Sequence, residues 1–296
     1  MSSTSPRLRL DAALASLFGS EIDWRRETSL LQVTAIDGRA RSVIAIGPGA
    51  PASATDRFVL GFARARADAI VTTGAILRAE RDLVHRFSDK AGEDEAWRGW
   101  RADRLGRREP PCLLIVSLGG ELPLDHPALV GSARAIVWTS QAGKLRLGRA
   151  NGRLEVRVGI GAGSRETLPH ACGPEHPSAA EALSDAYRWL RDELGAETVA
   201  IEAGPGATLG LYETAGGDSA KFALAASSSP RIARVAELLL SVYAGGAPTP
   251  VAGPAFPPTE QLAAYFSGTE QPGTRVRVEE PSGAWLFERY RRAAER

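Results

Sequence analysis

The 296-residue chain has little of several residue types that would narrow its function. Its two cysteines, Cys112 and Cys172, are too few for a disulfide framework, so we expect a reducing, cytoplasmic setting. A formal net charge of +1 with only three lysines argues against a nucleic-acid partner. Because no apolar run approaches the ~20 residues that a membrane span needs, we expect no membrane partner either.

Several catalytic motifs are also missing. The sequence has no GxxxxGK[ST], which excludes a P-loop nucleotide hydrolase, and no GxSxG elbow or papain-like cysteine signature. The stretch HACGPEH (170–176) clusters His, Cys and Glu, but it lacks the second, spaced pair of ligands that zinc sites use. We therefore predict no metal site and interpret this stretch as a polar loop.

Strand patterns alternate with helix patterns as far as about residue 215, and strand patterns dominate after it. This alternation predicts one α/β domain with a mixed sheet flanked by helices and antiparallel strands at the C-terminus. We predict an N-terminal helical extension at 1–27 and the domain itself at 28–296. Within the domain, 81–109 is rich in charge and reads as a polar excursion, although it contains two tryptophans.

Local signals refine this outline. Ser53 with Asp56, and Ser178 with Glu181, have the spacing of helix-capping boxes. The alternating stretch 144–161, centred on Asn151-Gly152, predicts a β-hairpin.

Two stretches combine a strand, glycine and a helix-like segment: AIVTTGAILRAE (69–80) and VAIEAGPGATLGLYE (199–213). Glycine lets the backbone approach a ligand closely, and the N–H groups at the start of a helix suit a phosphate. Ordinary turn glycines would explain either stretch alone, but two in one chain favour nucleotide binding. The second stretch is not the dinucleotide fingerprint, because its glycines are spaced GxGxxxG.

Glu202 ends the apolar run of the second stretch. A carboxylate at the carboxyl end of an inner strand lies where α/β sheets bind ligands, and it could hydrogen-bond a substrate ring or pass a proton. Equally, it could cap a helix or pair with one of the many arginines. The sequence leaves both interpretations open.

Five segments, in order, resemble the reductase domain of riboflavin-biosynthesis deaminase-reductases, which has a dihydrofolate-reductase-like fold. The segments are TAIDGRA (34–40), RARADAIVTTGAILRAE (64–80), LLIVSLGGELPLDHPAL (113–129), LGAETVAIEAGPGATL (194–209) and VAELLLSVYAG (235–245). Together they extend the resemblance over roughly residues 28 to 295.

The resemblance implies a homodimeric reductase that uses NADPH to transfer hydride to a small-molecule substrate, a pyrimidine or related heterocycle. It places Asp37 and Glu202 on the substrate side as the catalytic candidates. The residues that it places against the cofactor are Thr73, Gly74, Ala75, Ser117, Ala203, Gly204, Pro205, Gly206 and Ala207.

The sequence departs from the family at positions that matter for ligands. Leu118 stands where the family often has an arginine suited to a 2′-phosphate, with Arg146 and Arg149 as candidate substitutes. Leu31 stands where a lysine is common, and the zinc deaminase motifs are absent. The alternative function is therefore a catalytically degenerate nucleotide-binding module on the same scaffold.

Overall fold

The computed structural model describes residues 6–19, 24, 30–45, 47, 49–148, 154–159, 178–212, 232–246, 249–266 and 274–292. Within these residues, no helix combines the length and the apolar character that crossing a membrane requires.

The described residues form eleven strands and nine α-helices. The strands are β1 (Leu30–Asp37), β2 (Ser42–Ile44), β3 (Ala69–Thr73), β4 (Cys112–Val116), β5 (Ala135–Thr139), β6 (Glu155–Val158), β7 (Val199–Ile201), β8 (Glu237–Tyr243), β9 (Val251–Ala255), β10 (Thr274–Glu280) and β11 (Gly283–Arg291). The helices are α1 (Pro6–Phe18), α2 (Ala54–Arg66), α3 (Gly74–Ala79), α4 (Ala91–Leu105), α5 (Pro127–Val130), α6 (Gln141–Leu147), α7 (Ala179–Leu194), α8 (Pro205–Thr208) and α9 (Thr259–Phe266).

One mixed sheet organises the chain, with the strand order β10-β11-β8-β1-β7-β3-β4-β5-β6. From β8 to β6 in this order, each of the seven strands is parallel to the next, whereas β11 is antiparallel both to β8 and to β10. β2 pairs with β1 and with β9, outside this order. The predicted α/β class, with antiparallel strands at the C-terminus, is confirmed.

Both faces of the sheet are covered by helices. Leu183 and Leu190 of α7 share one apolar cluster with Val199 and Ile201, which point to one side of β7. The other face carries helices α1, α2 and α4, whose side chains form a second cluster with Leu31 and other strand residues. The continuous apolar runs of the inner strands follow from this two-sided burial.

The segment expected to be a polar excursion instead contains α4, which belongs to the core. Trp97 and Trp100 are buried, and their rings pack on each other and on Phe62 of α2. The N-terminal helix is also integral, because Trp100 Nε1 donates to Asp11 Oδ1 at 3.0 Å. Apart from the buried Arg101, the charged residues of 91–105 lie toward the exposed side of an amphipathic helix, which explains why the segment read as polar.

Three local predictions have mixed outcomes. The capping box at Ser178 and Glu181 is complete, and Ser53 caps α2 by accepting from Asp56 N. The hairpin is wrong, because residues 141–147 form a helix and β6 pairs in parallel with β5. Its turn, Asn151-Gly152, lies outside the described residues.

Candidate functional site

The candidate residues follow the carboxyl ends of four adjacent parallel strands. Asp37 ends β1, Glu202 follows β7, Thr73 ends β3 and Ser117 follows β4. The backbone N–H of Glu202 donates to Val71 O at 2.8 Å, which ties the end of β7 to β3. The sheet therefore brings residues that are far apart in sequence to one edge, where α/β proteins bind ligands.

Glu202 is held by a bidentate ion pair. Arg64 of α2 donates from Nε to Oε1 at 2.7 Å and from Nη2 to Oε2 at 2.6 Å, and both side chains are nearly buried. Burial by itself raises the pKa of Glu202, but the Arg64 guanidinium outweighs burial and holds that pKa below its ordinary value. Glu202 is thus a carboxylate at neutral pH, able to accept hydrogen bonds, and the arginine pairing that the sequence left open is present.

His85 lies beside this pair. Its Nε2 is 3.8 Å from Glu202 Oε2, and its side chain is 2% exposed. Burial lowers the pKa of His85 to about 4, outweighing the opposing effect of the Glu202 charge. The imidazole is therefore neutral, and Arg64 alone supplies the positive charge that balances Glu202.

Asp37 is also ionised, for a different reason. Its Oδ1 accepts from the backbone N–H groups of Arg39 (2.9 Å) and Ala40 (2.7 Å), and its Oδ2 accepts from Thr249 Oγ1 at 2.5 Å. Burial raises the pKa of Asp37, but these hydrogen bonds together keep it below its ordinary value. Part of the carboxylate's acceptor capacity is thus used to hold the turn after β1.

The two carboxylates are on the same face of the sheet but at different heights. Gln32 of β1 lies opposite Ile201 of β7, so Asp37 is four residues beyond the level of Glu202. At about 3.3 Å per residue this separation is about 13 Å along the strand direction. An extended ligand could therefore reach both carboxylates, whereas a single six-membered ring could not.

The first glycine stretch is filled by protein atoms. A Cβ built at Gly74 would lie 2.9 Å from Ser117 Oγ and 2.9 Å from Leu122 Cδ2. Thr73 caps the six-residue helix α3 by accepting from Ile76 N at 3.4 Å, and Ala75 is exposed. Here glycine serves close packing between two loops, which is the ordinary explanation for it.

The second glycine stretch is open. Among the residues that the structure describes, a Cβ at Gly204 or at Gly206 would meet no atom within 4 Å, and neither residue has a positive φ. Gly206 is exposed, whereas Ala203 and Pro205 are buried. The protein itself does not require glycine at 204 and 206, so these residues leave backbone accessible on a loop next to Glu202.

A buried polar network holds this loop in place. Tyr212 donates its hydroxyl to Gln32 Oε1 at 2.8 Å, and Gln32 Nε2 donates to Thr208 Oγ1 at 3.3 Å. All three side chains are almost completely buried. Because a buried network with matched donors and acceptors resists rearrangement, the 203–208 loop is fixed relative to β1.

The structure places Leu31, where the family often has a lysine, and Arg146, a candidate substitute for the arginine that Leu118 replaces. Leu31 is 0% exposed inside the core, so it offers no surface to a ligand. Arg146 of α6 donates to Gly119 O at 3.0 Å and pairs with Glu121 at 2.7 Å, which puts a guanidinium beside the loop that follows Ser117. Arg149 and the HACGPEH stretch lie outside the described residues. Among the residues that are described, no cluster of potential metal ligands occurs.

Sequence reasoning did not single out Arg64, His85, Thr249 or the Gln32–Tyr212–Thr208 network. Arg64 contacts Glu202 across 138 positions, and Tyr212 contacts Gln32 across 180. Arg64, Thr208 and Tyr212 stand in stretches already quoted, but the partners of these residues are far away in sequence, so only the fold connects them.

Comparison with solved structures identifies proteins of similar fold. A pyrimidine reductase-like protein from Corynebacterium diphtheriae matches with a TM-score of 0.55 and 19% identity over 96% of this chain and 99% of its own. The riboflavin biosynthesis reductase Rib7 of Saccharomyces cerevisiae matches at 0.46 and 11% identity, covering 95% and 99%. RibD of Acinetobacter baumannii matches at 0.47 and 14% identity, covering 93% of this chain but 59% of its own.

The sequence comparisons add no match. No protein-family model matches the chain, and neither does any curated protein sequence. At these identities the structural matches establish the fold alone. The chain thus has the mixed α/β fold of the pyrimidine reductase-like protein, and riboflavin-pathway reductases are among its structural neighbours.

Proposed function

We propose that this protein is an NADPH-dependent reductase that transfers hydride to a pyrimidine or a related heterocycle. The observation that carries the proposal is the open loop at Gly204 and Gly206, directly after the ionised Glu202 and on a reductase fold. Glycines at open positions let a ligand approach the backbone closely, and the place of these two directly after Glu202 distinguishes them from open glycines elsewhere in the chain.

The residues present fit a dinucleotide cofactor in part. The 203–207 loop offers accessible backbone, and Arg146 offers a cation near Ser117, although it is paired with Glu121. The helices α3 and α8 have six and four residues, so they are too short to contribute much as helix N-termini. When bound, the nicotinamide supplies the hydride, and the chain supplies orientation and electrostatics.

The charge states of the carboxylates indicate what they do for a substrate. Both Asp37 and Glu202 have lowered pKa values, so each can accept a hydrogen bond from an N–H group. Since they lie about 13 Å apart along the strands, the ring would reach one of them and a substituent of the ring the other. Neither is suited to donate a proton at neutral pH, since a general acid needs a pKa near the working pH. Because Leu31 is buried where the family often has a lysine, we expect a substrate with less negative charge than a phosphorylated pyrimidine.

The test combines binding with turnover. Fluorescence of NADPH is titrated with protein, and oxidation at 340 nm is followed with heterocycles, including the phosphorylated pyrimidine of the riboflavin pathway and uncharged analogues. We expect saturable NADPH binding and turnover of an uncharged ring. Binding without turnover of any heterocycle would support the alternative, a nucleotide-binding module that has lost catalysis.

Gly204→Val locates the cofactor. A branched side chain at this open position should weaken NADPH binding at least tenfold, about 1.4 kcal/mol, because it blocks access to the loop backbone. The control is Gly99→Val, an equally open glycine on the exposed side of α4. A folded Gly204→Val protein with unchanged affinity would exclude the loop from the cofactor site.

A further inference from the structure

A cavity of ≈ 640 Å³ lies beside the sheet, and His85 in its wall connects it to the Arg64–Glu202 pair. Residues 84–87, Pro110–Pro111 before β4 and 127–133 before β5 surround it, and Ile70 and Leu113 contribute from the sheet. Its lining includes none of the eleven candidate site residues. Because Pro110–Pro111 and Ala133 precede their strands, the cavity extends toward the amino ends of β4 and β5, and His85 lies on its side nearest Glu202.

The walls of this cavity are mostly apolar. Ile70 and Leu113 belong to the core cluster of this face, and Val84, Phe87 and Val130 add apolar surface. The Val130 side chain is 69% exposed, which is unusual for a large aliphatic residue beside a cavity. Cavities of 300–1,000 Å³ with apolar walls and a few polar groups are typical small-molecule sites.

His85 supplies one of those polar groups. It lines the cavity, its side chain is 2% exposed, and among the described residues neither Nδ1 nor Nε2 has a hydrogen-bond partner. Buried polar atoms are almost always satisfied, because an unpaired one has lost its hydrogen bonds to water without replacement. A neutral imidazole has one donor and one acceptor nitrogen and can bind a hydroxyl or a carboxyl group.

The cavity also has a bias in charge. Arg98 and Arg86 line it, and no aspartate or glutamate does. The Arg98 guanidinium lies 5.7 Å from the centre of the Phe87 ring, and its Nε donates to Asp94 at 2.8 Å. With its side chain 49% exposed, Arg98 keeps donors that an incoming anion could use.

We propose that this cavity binds a small aromatic carboxylate, with the ring against Ile70 and Leu113 and the polar groups reached by Arg98 and His85. The volume accommodates one or two fused rings, the arginines select an acid over its neutral analogue, and the imidazole donates one further hydrogen bond to the carboxylate. This site does not depend on the proposed reductase function.

The experiment uses 1-naphthoate as the probe, measured by isothermal titration calorimetry on the full chain, beside its neutral amide. We expect one site with a Kd of about 0.1 mM for the acid, the range that a ligand of this size reaches, and binding at least fivefold weaker for the amide. Val130→Glu, which places a carboxylate at the rim, should weaken naphthoate at least tenfold, and Arg98→Gln at least threefold. Leu145→Glu, at a 73% exposed leucine on α6, is the matched control and should change nothing.

Two further measurements separate this site from the others. His85→Phe keeps an aromatic ring in place of the imidazole and removes both nitrogens, so it should weaken naphthoate, while Arg98→Gln should leave NADPH affinity unchanged. Saturating NADPH should leave the Kd for naphthoate unchanged. Absence of saturable heat up to about 2 mM, equal affinity for the amide, no effect of Val130→Glu, or competition by NADPH would each overturn the proposal. Thermal unfolding of every variant checks that it is folded. If His85→Phe does not fold, Val130→Glu and Arg98→Gln still test the proposal.

Discussion

Arg64 and Glu202 form a bidentate ion pair at the candidate site, between residues 138 positions apart in sequence. A nearly buried, bidentate pair gains from two charge-assisted hydrogen bonds but pays for removing two charges from water. The pair is therefore better understood as a device that fixes the position and charge of Glu202 than as a large net source of stability.

Breaking the pair should be costly. We expect Arg64→Gln to destabilise the protein by about 3 kcal/mol at pH 7, because Glu202 becomes an uncompensated buried charge. The double variant Arg64→Gln/Glu202→Gln should recover part of this loss. Urea unfolding gives the free energies, and a double variant no more stable than Arg64→Gln would contradict the explanation.

The pH dependence of these variants has a defined sign. In the wild type the folded pKa of Glu202 is lowered, so the ion pair stabilises above the unfolded value of about 4.3 and its contribution is lost as pH falls through the folded pKa. In Arg64→Gln, burial is no longer offset and the pKa should rise. The stability difference between the two proteins should therefore shrink between pH 7 and pH 4. A constant difference would show that charge is not the cause.

Arg146 is the residue on which cofactor choice should depend. It lies beside the loop after Ser117, where Leu118 replaces the arginine common in the family. Because Arg146 must leave Glu121 to bind a 2′-phosphate, we expect NADPH to be preferred over NADH by less than a hundredfold.

Arg146→Gln should reduce that preference by raising the KM for NADPH without changing the KM for NADH. Arg157→Gln on β6, at a similarly exposed arginine, is the control. A preference above a hundredfold that survives Arg146→Gln would contradict this assignment.

At the scale of elements, α4 shows how a core helix can be missed. Only Trp97, Trp100 and Arg101 of its fifteen residues are buried, so the apolar stripe is short and the composition reads as polar. Arg101 is buried because its guanidinium donates to Ala65 O (2.8 Å) and Ala67 O (2.6 Å) at the end of α2. A charged residue that satisfies carbonyls at a helix end is not visible as such in a sequence.

Trp97→Ala tests whether α4 belongs to the core. Its ring packs on Phe58, Phe62 and Trp100, so we expect a loss of about 3–5 kcal/mol in the free energy of unfolding. The exposed Glu95→Ala on the same helix should change stability by less than about 0.5 kcal/mol. If both substitutions changed the free energy of unfolding only slightly, α4 would not belong to the core.

The elements that could be predicted are those fixed by local chemistry. The Ser178–Glu181 box and Gly195, which has a φ of 64°, set both ends of α7, and apolar β-branched runs set β3 and β4. The hairpin failed because Asn151-Gly152 is a local signal, whereas β6 is placed by parallel pairing with β5. The two glycine stretches could be recognised in the sequence. Which of them is open to a ligand could not, because Gly74 is packed against Ser117 and Leu122 by the fold whereas Gly204 is not.

At the scale of the whole molecule, we propose that the chain forms a homodimer. All five residues of β9 are exposed, and among the described strands β9 pairs only with β2. An exposed edge strand with an apolar residue such as Val251 invites pairing with another chain.

Light scattering after size exclusion should give twice the mass of the 31.4 kDa chain. Val251→Glu should shift the equilibrium toward monomer, whereas Ile232→Glu, at an exposed apolar residue outside β9, should not. A monomer at about 100 μM would contradict the proposal, and a dimer insensitive to Val251→Glu would place the interface elsewhere.

The strand order also has a consequence for biosynthesis. β1 has only one neighbour that is close in sequence, the short β2, and its two parallel neighbours are β7 and β8. A ribosome that has finished Asp37 must add 161 more residues (198 minus 37) before β7 begins. At roughly 5–20 residues per second this takes about 8–32 s. Meanwhile β3, β4, β5 and β6, each next to the following one in the sheet, can assemble on their own. The apolar β1 therefore lacks its two parallel neighbours during much of translation. In this interval the nascent chain is most exposed to misassociation.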